Sequence, residues 1–255
     1  MSAVPLISIV TACLNSERHI GQTLDSVTAQ QGISCEQVVV DGGSIDRTVE
    51  IVSEALRPKG HWISEPDTGI ADAMNKGVAL SRGEWLLFLQ SDDYLRGPTV
   101  LARAAVHFAP DLDVCAFPVH FGNDASLAVV NPRGANWWLN FKTGLNHQAT
   151  FIRRSLFERI GGYDTNFRIA MDYEFFLRAY RAGARFKCFS EPVVSVMRDS
   201  GISSQRDWPN LKRRFAEEER VHRKFETRRL ALLYDMWWAM YPPYRRMRAK
   251  LLTGD

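Results

Sequence analysis

Two short stretches of the sequence decide the fold: EQVVVDGG at residues 36–43 and WLLFLQSDD at residues 85–93. In each stretch a run of apolar residues ends in aspartate, and helix-length amphipathic segments lie on both sides. Runs of this kind indicate strands that are buried on both faces of a parallel sheet. With two further runs, the sequence predicts four early strands: Leu6–Cys13, Glu36–Val40, His61–Ser64 and Trp85–Leu89.

The segments between these strands show apolar residues at helical spacing, as in Ile20, Leu24 and Val27. The resulting βαβαβαβ alternation predicts an α/β fold with an open, mostly parallel sheet flanked by helices and a Rossmann-like first half. A helix at 100–108 follows, and the order of elements in 111–150 cannot be derived from the pattern. Beyond it we expect a short helix with a capping box from Ser155 to Glu158, a helix at 171–182, and strands at 185–189 and 193–197.

Composition limits the class of protein. The chain has 255 residues, 45% hydrophobic and 24% charged, which is typical of a globular protein and excludes disordered and low-complexity classes. Its four cysteines lie far apart, so we expect reduced thiols in the cytosol rather than a zinc knuckle or a secreted framework. The N-terminus lacks signal-peptide features, and no run of 18 uncharged apolar residues occurs, so we expect a cytoplasmic chain without a spanning helix.

Charge is distributed unevenly along the chain. Residues 206–255 hold 13 Lys/Arg and 7 Asp/Glu, a balance of +6, whereas residues 1–205 hold 19 and 22, a balance of −3. We therefore divide the chain into a globular domain at 1–205 and a basic, amphipathic helical tail at 206–255. A basic tail suits nucleic acid or an anionic membrane. The aromatic residues that precede its C-terminal basic run favour peripheral contact with the inner face of the cell membrane, and packing on the globular domain or on a second subunit is the alternative.

Each early strand ends in an amide or carboxyl side chain: Asn15, Asp41, Asp67 and the pair Asp92-Asp93. Ligands of open α/β sheets bind beyond the carboxyl ends of the strands, so we expect these side chains to converge. Any one of them suits a turn or a helix N-cap. Two adjacent carboxylates repel each other, however, and a divalent cation such as Mg²⁺ or Mn²⁺ that also binds phosphate oxygens would remove that cost.

The sequence lacks the signatures of several other enzyme classes. It has no P-loop, no dinucleotide-binding G-x-G-x-x-G after the first strand, and no G-x-S-x-G nucleophile elbow. A P-loop nucleotidase, a dinucleotide-dependent oxidoreductase and an α/β-hydrolase are therefore not supported.

Several segments, taken in order, resemble a known family. They are SIVT at 8–11, VVVDGGSID at 38–46, EPDTGIADAMNKG at 65–77 and FLQSDD at 88–93, followed by NHQ at 146–148, GYD at 162–164 and MDYE at 171–174. Over about residues 5–200 the chain resembles the family 2 glycosyltransferases of the GT-A fold. The resemblance implies an inverting, metal-dependent transfer of a sugar from a nucleoside diphosphate sugar, with a UDP-sugar favoured, to a hydroxyl of a cell-surface glycan or glycolipid precursor.

The same resemblance implies roles for individual residues. Asp172 falls where the family places its catalytic base. Asp92 and Asp93 correspond to the D-x-D element, in which Mg²⁺ or Mn²⁺ bridges carboxylate and diphosphate. Because Gln90 stands where some members have an acid, the choice between the two is open and we favour Asp93 as the direct ligand. The implied nucleotide-sugar site comprises Thr11, Asn15, Glu17, Asp41, Asp67, Asn75, Lys76 and Asp92.

General chemistry agrees with these roles. Inversion by direct displacement requires a base opposite the leaving group, and Asp172 opens a predicted helix whose dipole favours the ionised carboxylate. His147 and Gln148 are candidates for binding the acceptor, although a single histidine is more often structural. Trp137 and Trp138 offer flat faces for a sugar or lipid, or for the core. A non-catalytic nucleotide-sugar binding protein, the alternative function, would keep the strand-end pocket without needing Asp172.

Overall fold

The computed structural model describes residues 4–57, 60–123, 126–199 and 207–253, with eleven strands between residues 7 and 197 of these ranges. In chain order they are β1 (Ile7–Cys13), β2 (Cys35–Asp41), β3 (His61–Ser64), β4 (Trp85–Phe88), β5 (Tyr94–Leu95), β6 (Val114–Ala116), β7 (Val119–Asn123), β8 (Ser126–Val130), β9 (Thr150–Arg153), β10 (Phe186–Cys188) and β11 (Ser195–Met197). The four predicted early strands and the two late ones are confirmed, with small differences at their ends.

The main sheet has seven strands in the order β10-β6-β9-β4-β1-β2-β3. Strand β1 lies inside the sheet, next to the central strand β4, and pairs in parallel with β2 and β4, so that Val10 lies opposite both Val38 and Phe88. Strand β9 alone runs antiparallel, to β4 on one side and to β6 on the other. The predicted open, mostly parallel sheet is therefore confirmed, with one antiparallel strand that the sequence pattern did not reveal.

Helices cover both faces of this sheet. Because successive side chains of a strand point to opposite faces, Leu86 and Phe88 of β4 pack in one core and Trp85 and Leu87 in another, and all four are fully buried. This double coverage explains why the early strands read as continuous apolar runs. The helices are α1 (Ile20–Thr28), α2 (Thr48–Ala55), α3 (Ile70–Leu80), α4 (Val100–Ala105), α5 (Arg154–Ile160), α6 (Met171–Arg181), α7 (Trp208–Lys224) and α8 (Ala231–Thr253).

A second, four-stranded sheet has the order β5-β11-β7-β8. It organises much of the region 111–150 that the pattern left unassigned, together with short 3-10 helices at Trp137–Asn140 and His147–Ala149. Strand β5 follows directly on the Asp92-Asp93 pair and pairs antiparallel with β11, so that Val196 lies opposite Tyr94. The small sheet thus brings the chain near residue 198 against the end of β4.

The predicted capping box at Ser155 and Glu158 is wrong. Helix α5 begins at Arg154, directly after β9, with Arg153 at the N-cap position and no side-chain cap. Ser155 therefore lies inside the helix, because the chain enters the helix from the strand without an intervening turn. The helix ends at Gly161, whose φ of 84° suits glycine, as predicted.

The predicted helical tail is present as α7 and α8. Asp207 caps α7 by accepting a hydrogen bond from the Asn210 backbone N–H at 3.1 Å, and the boundary predicted at residues 205 and 206 lies outside the described residues. The tail packs on the globular domain through buried side chains that include His222 and Tyr234. Helix α8 continues through Pro242 and Pro243. No helix among the described residues is long and apolar enough to cross a membrane.

Candidate active site

A cleft of about 1870 Å³ opens beyond the carboxyl ends of the central strands. One wall consists of polar residues that follow β1, β3 and β4, namely Asn15, Asp67, Asp92 and Asp93. We call these four residues the strand edge. Their convergence follows from the parallel sheet, because parallel strands end on the same side.

Another wall of the cleft comes from the second half of the chain. It includes Asp172 of α6, Arg214 of α7, and Tyr241 and Arg245 of α8, with Lys142 from the segment after the first 3-10 helix. We call these five residues the helix end. A carboxylate at the start of a helix therefore faces the same cavity as the carboxylate pair of the strand edge.

Asp41 lies behind the strand edge and does not line the cleft. Its carboxylate is fully buried and accepts hydrogen bonds from the hydroxyls of Ser44 and Ser64 and from the backbone N–H groups of Gly43 and Ser44. Burial opposes ionisation, but these hydrogen bonds outweigh it and hold the pKa of Asp41 below its ordinary value. Asp41 thus stays charged and fixes the turn that follows β2.

Asn15 and Glu17 join the loop after β1 to the loop after β2. Asn15 Oδ1 accepts from the Ile45 N–H at 3.0 Å, and Glu17 Oε2 accepts from the Arg47 N–H at 3.0 Å. Asn15 has a φ of 49°, a left-handed conformation that asparagine tolerates better than most residues. Asn15 lines the cleft, whereas Glu17 lies in a shallow neighbouring groove with Arg47.

Three further residues of the predicted nucleotide site do not line the cleft: Lys76, Asn75 and Thr11. Lys76 donates to the Pro66 carbonyl at 3.0 Å and pairs with Glu65 at 2.8 Å, which positions the segment leading to Asp67. Asn75 exchanges two hydrogen bonds with the Tyr163 backbone, at 2.9 and 2.8 Å. Thr11 is fully buried in β1, and its hydroxyl has no hydrogen-bond partner within the described part of the chain.

The two carboxylates of the strand edge have different surroundings. Asp93 is only 2% exposed, and its Oδ1 accepts from the Arg198 backbone N–H at 2.9 Å. Burial, with the charge of Asp92 beside it, raises the pKa of Asp93 well above its ordinary value, against opposing hydrogen bonds from Arg198 and Gln148. Asp92 is partly exposed, and its carbonyl accepts from the Arg198 guanidinium. Asp92 is therefore the more accessible carboxylate.

Asp172 occupies the first turn of α6, as predicted. Burial raises its pKa above the ordinary value, and the backbone N–H of Tyr173 and the charge of Arg214 act in the opposite direction. We expected the start of the helix to favour the ionised form, but the effect of burial on the pKa of Asp172 is larger. A carboxylate with a raised pKa binds a proton more tightly, which makes it a stronger base at a pH where it is ionised.

Glu217 of α7 holds the segment that leads into α6. Its carboxylate accepts hydrogen bonds from three consecutive backbone N–H groups, those of Arg168, Ile169 and Ala170, at 3.0, 2.7 and 2.9 Å. Such N–H groups before a helix have no partner within the helix, and a carboxylate beside them also complements the helix dipole. The tail thereby sets the position at which Asp172 enters the cleft.

With this geometry established, comparison with known proteins assigns the family. Residues 8–171 match the model described as glycosyl transferase family 2. This chain belongs to that family. An uncharacterized glycosyltransferase of Mycobacterium tuberculosis is 38% identical over 185 residues, covering 70% of each chain. A PGL/p-HBAD biosynthesis glycosyltransferase of Mycobacterium bovis is 32% identical over 243 residues, covering 90% of this chain and 88% of its own.

Solved structures share the fold of this family 2 chain. TarS 1-349 of S. aureus, in complex with UDP, has a TM-score of 0.63 and 20% identity, covering 88% of this chain and 72% of its own. The mannosyltransferase PcManGT of Pyrobaculum calidifontis, in complex with GDP-Man and Mn²⁺, has a TM-score of 0.68 and 18% identity, covering 98% and 74%. These likenesses show that the fold is of the GT-A type.

The strand edge of this glycosyltransferase has a donor set that fits a divalent cation. Mg²⁺ is commonly held by one or two carboxylates and takes its remaining ligands from phosphate and water, and Asp92 and Asp93 supply such a pair. Within the described ranges, no three His, Cys, Asp or Glu side chains are grouped for a metal. The residues therefore suit a site completed by a bound diphosphate rather than a closed protein cage.

His147 and Gln148 line the cleft but face different partners. His147 is buried, its Nε2 lies 2.7 Å from the Tyr163 hydroxyl, and its ring stacks on Phe88 with centroids 5.1 Å apart. Burial lowers the pKa of His147 to about 3, so its ring is neutral near pH 7. Gln148 donates to Asp93 and so belongs with the strand edge.

Sequence reasoning missed Arg198, Glu217, Lys142 and Arg245 as parts of the site. Each is a common surface-type residue outside the recognised motifs. Arg198 follows β11, which strand pairing brings to the end of β4, and Glu217 reaches α6 only because α7 packs there. The nearest sequence signal for Glu217 is its place on a helix that has a buried face, five residues before the buried His222.

Proposed function

We propose that this family 2 glycosyltransferase moves a sugar from a nucleoside diphosphate sugar, with a UDP-sugar favoured, to a hydroxyl of a cell-surface glycan or glycolipid precursor, with inversion at the anomeric carbon. One observation carries the proposal: the Asp92-Asp93 pair and Asp172 line the same cleft. A diphosphate-binding edge and a base thus share one cavity. The nucleotide complexes of TarS and PcManGT support the donor class.

In the proposed reaction, Asp172 accepts the proton of the acceptor hydroxyl. The hydroxyl oxygen forms a bond to the anomeric carbon while the bond from that carbon to the diphosphate breaks, and the electron pair leaves with the diphosphate. Attack on the face opposite the leaving group inverts the configuration. Arg214 lies near Asp172, and its charge stabilises the ionised base before the proton arrives.

Asp92 and Asp93 are the residues that would hold Mn²⁺ or Mg²⁺. Such an ion, when bound, supplies positive charge to the departing diphosphate. We propose Asp92 as the direct contact, because Asp93 is buried and already accepts from Arg198. This choice reverses the order of preference drawn from the sequence, which did not reveal the burial of Asp93.

We propose that the nucleoside lies along Asn15 and Asp67, which line the cleft. Apart from Asp92, which lines the cleft, the remaining members of the predicted nucleotide site lie outside its lining. Their hydrogen bonds and ion pairs join the loops that shape it, as described above for Asp41, Glu17 and Lys76. In this proposal, some residues of the predicted nucleotide-sugar site contact the donor and the others support the loops around it.

The decisive experiment follows the anomeric proton of the product by NMR. The full-length protein is incubated with a panel of UDP- and GDP-sugars and a glycolipid extract, with Mn²⁺ or with EDTA. We expect one donor to be consumed with Mn²⁺ and the product to have inverted configuration. A product of retained configuration, or equal turnover with EDTA, would contradict the mechanism. Donor binding without any transfer or hydrolysis would favour the non-catalytic alternative.

We further propose that the enzyme acts in the cytoplasm at the inner face of the cell membrane. Helix α8 divides into two faces: Tyr234 and Trp238 pack inward, whereas Leu232, Met236 and Met240 are exposed at successive turns. An apolar stripe beside arginines suits the lipid interface. Co-sedimentation with phosphatidylglycerol vesicles tests this: wild type should bind, and Met240→Glu should bind less. Equal binding by both proteins would contradict the contact.

A further inference from the structure

The helix end of the cleft contains two cations that converge on one oxygen atom. Lys142 Nζ lies 2.5 Å and Arg245 Nη1 lies 2.7 Å from the Tyr241 hydroxyl oxygen. Both cations also lie over the ring of Tyr241, at 5.1 and 5.6 Å from its centroid. The Tyr241 side chain therefore holds the two positive charges close to each other.

Within the described ranges, no acid neutralises either cation. Among the described residues, Lys142 and Arg245 form no ion pair with a carboxylate, whereas Arg214 in the same wall pairs with Glu218 at 2.8 Å. Arg248, one turn after Arg245, lines the cleft as well and likewise has no such ion pair. Like charges held close together repel, so the local potential favours an anion.

A hydrogen-bond donor next to these cations is also unused. Trp237 lines the cleft and stacks on Tyr241 with centroids 4.5 Å apart. Its indole Nε1 is buried and has no hydrogen-bond partner within the described part of the chain. A buried N–H usually has an acceptor, so this donor points independently to a ligand oxygen.

Apolar surface adjoins the same place. Tyr244 lines the cleft and is 49% exposed, and the stripe of α8 that begins at Leu232 continues to Met247 on the outer face. Trp138 also lines the cleft and is 62% exposed. A ligand held by the cations would therefore have hydrocarbon surface beside it.

From these observations we infer that Lys142 and Arg245 form an anion site for an acceptor that carries a phosphoryl group on a hydrocarbon chain. The inference rests on the proposed function, since it names the acceptor of that reaction. The anion site is separate from the strand edge, where we place the donor diphosphate. Arginine and lysine are both established phosphate ligands, and a doubly charged phosphoryl group matches two unpaired cations better than a carboxylate does. Arg214 lies near both Tyr241 and Asp172, which places this site beside the base.

The test measures binding without turnover. The full-length protein, saturated with UDP and Mn²⁺ to fill the strand edge, is titrated calorimetrically with monodecyl phosphate below its micelle concentration. We expect Lys142→Met and Arg245→Met each to weaken binding by about tenfold or more, the usual loss for a charge-assisted contact. Lys142→Arg, which keeps the charge, should bind within about threefold of wild type. Unchanged UDP affinity in each variant shows that the fold is intact.

Arg246→Met is the matched control, because Arg246 is the next residue of α8, is exposed and does not line the cleft. An equal loss in Arg246→Met, no loss in the two site variants, or wild-type binding of decanoate as tight as that of decyl phosphate would overturn the inference.

Phosphatidylglycerol vesicles distinguish the source of the phosphoryl group. Vesicle binding with the same variant pattern identifies a bilayer headgroup, and vesicle binding insensitive to these variants identifies the acceptor itself. Because UDP binding and decyl phosphate binding are measured separately, failure of the transfer reaction would not be confused with failure of this site.

Discussion

The strand edge and the helix end of the cleft are held in place by different kinds of contact. The strand edge follows from neighbouring parallel strands, and the loops after β1 and β2 are joined by short hydrogen bonds such as that from Ile45 to Asn15. The helix end depends on the packing of α7 and α8 against α6, through Glu217 and through the hydrogen bond from Trp238 to His222 at 2.9 Å. Donor binding should therefore depend on the sheet, and transfer on the tail.

The largest effect is expected from replacing the proposed base, Asp172, which should separate sugar transfer from donor binding. Asp172→Asn should reduce the rate of sugar transfer by about 100-fold or more, the usual share of general-base catalysis, while UDP affinity stays the same. Initial rates and calorimetric UDP titration measure the two quantities. Asp111→Asn, which removes an exposed carboxylate 3.9 Å from Arg185, is the control and should change neither. Substantial turnover by Asp172→Asn would remove Asp172 from the mechanism.

A smaller loss should follow from loosening the tail. Glu217→Ala leaves three backbone N–H groups without their carboxylate, so Asp172 should be less well placed. We expect the transfer rate to fall by about 30-fold, because small misplacements are costly in catalysis, with the KM for the donor unchanged. Glu217→Gln, which keeps one acceptor oxygen, should retain part of the activity.

The control for this variant is Glu219→Ala, since Glu219 lies on the same helix and pairs at the surface with Arg223 at 3.5 Å. It should behave as wild type. Equal rates for Glu217→Ala and Glu219→Ala would show that the tail does not position the base. A large rise in the KM for the donor would show that the two ends of the cleft are not independent.

At the strand edge, the expected effect concerns affinity. Asp92→Ala should weaken UDP binding by about tenfold in the presence of Mn²⁺ and leave it unchanged in EDTA, because one charge-assisted contact to the cation is lost. Calorimetric titration under both conditions measures the difference. Asp25→Ala, on the exposed face of α1, serves as the control. An Asp92→Ala protein with the full response to Mn²⁺ would contradict the assignment.

The smallest effect is on thermal stability. The pKa of Asp172 is raised in the folded protein, so as pH rises the unfolded chain loses this proton first, and stability falls between the ordinary and the raised pKa. Asp172→Asn lacks this loss. Its melting temperature should match that of wild type near pH 3 and exceed it by about 2 °C near pH 8, measured by calorimetry with EDTA present. A difference that does not grow with pH would contradict the raised pKa.

Much of the fold was predictable because buried parallel strands leave a clear pattern. The apolar runs of β1, β2 and β4 indicate the sheet, and the residues that follow β1, β3 and β4 place Asn15, Asp67, Asp92 and Asp93 at one edge. The direction of β9 was not predictable, because strand pairing across the fold decides it. The strand β8 gave no alternating pattern, since most of its residues are exposed.

The site was predictable to a lesser extent, and for a related reason. Motif spacing located Asp172, but two adjacent aspartates look equivalent in a sequence, and only the packing of β11 shows that Asp93 is the buried one. Arg198 and Glu217 act through contacts between segments far apart in the chain. Such contacts depend on tertiary packing, about which local patterns carry no information.

The hydrogen bonds of Glu217 have a consequence for the order in which the protein matures. Chains generally fold from the N-terminus as the ribosome releases them, so the parallel sheet and its strand edge can form while α7 is still being synthesised. The backbone N–H groups that lead into α6 receive the Glu217 carboxylate only when α7 has emerged and docked. We therefore expect a newly made chain to complete its strand edge before its helix end.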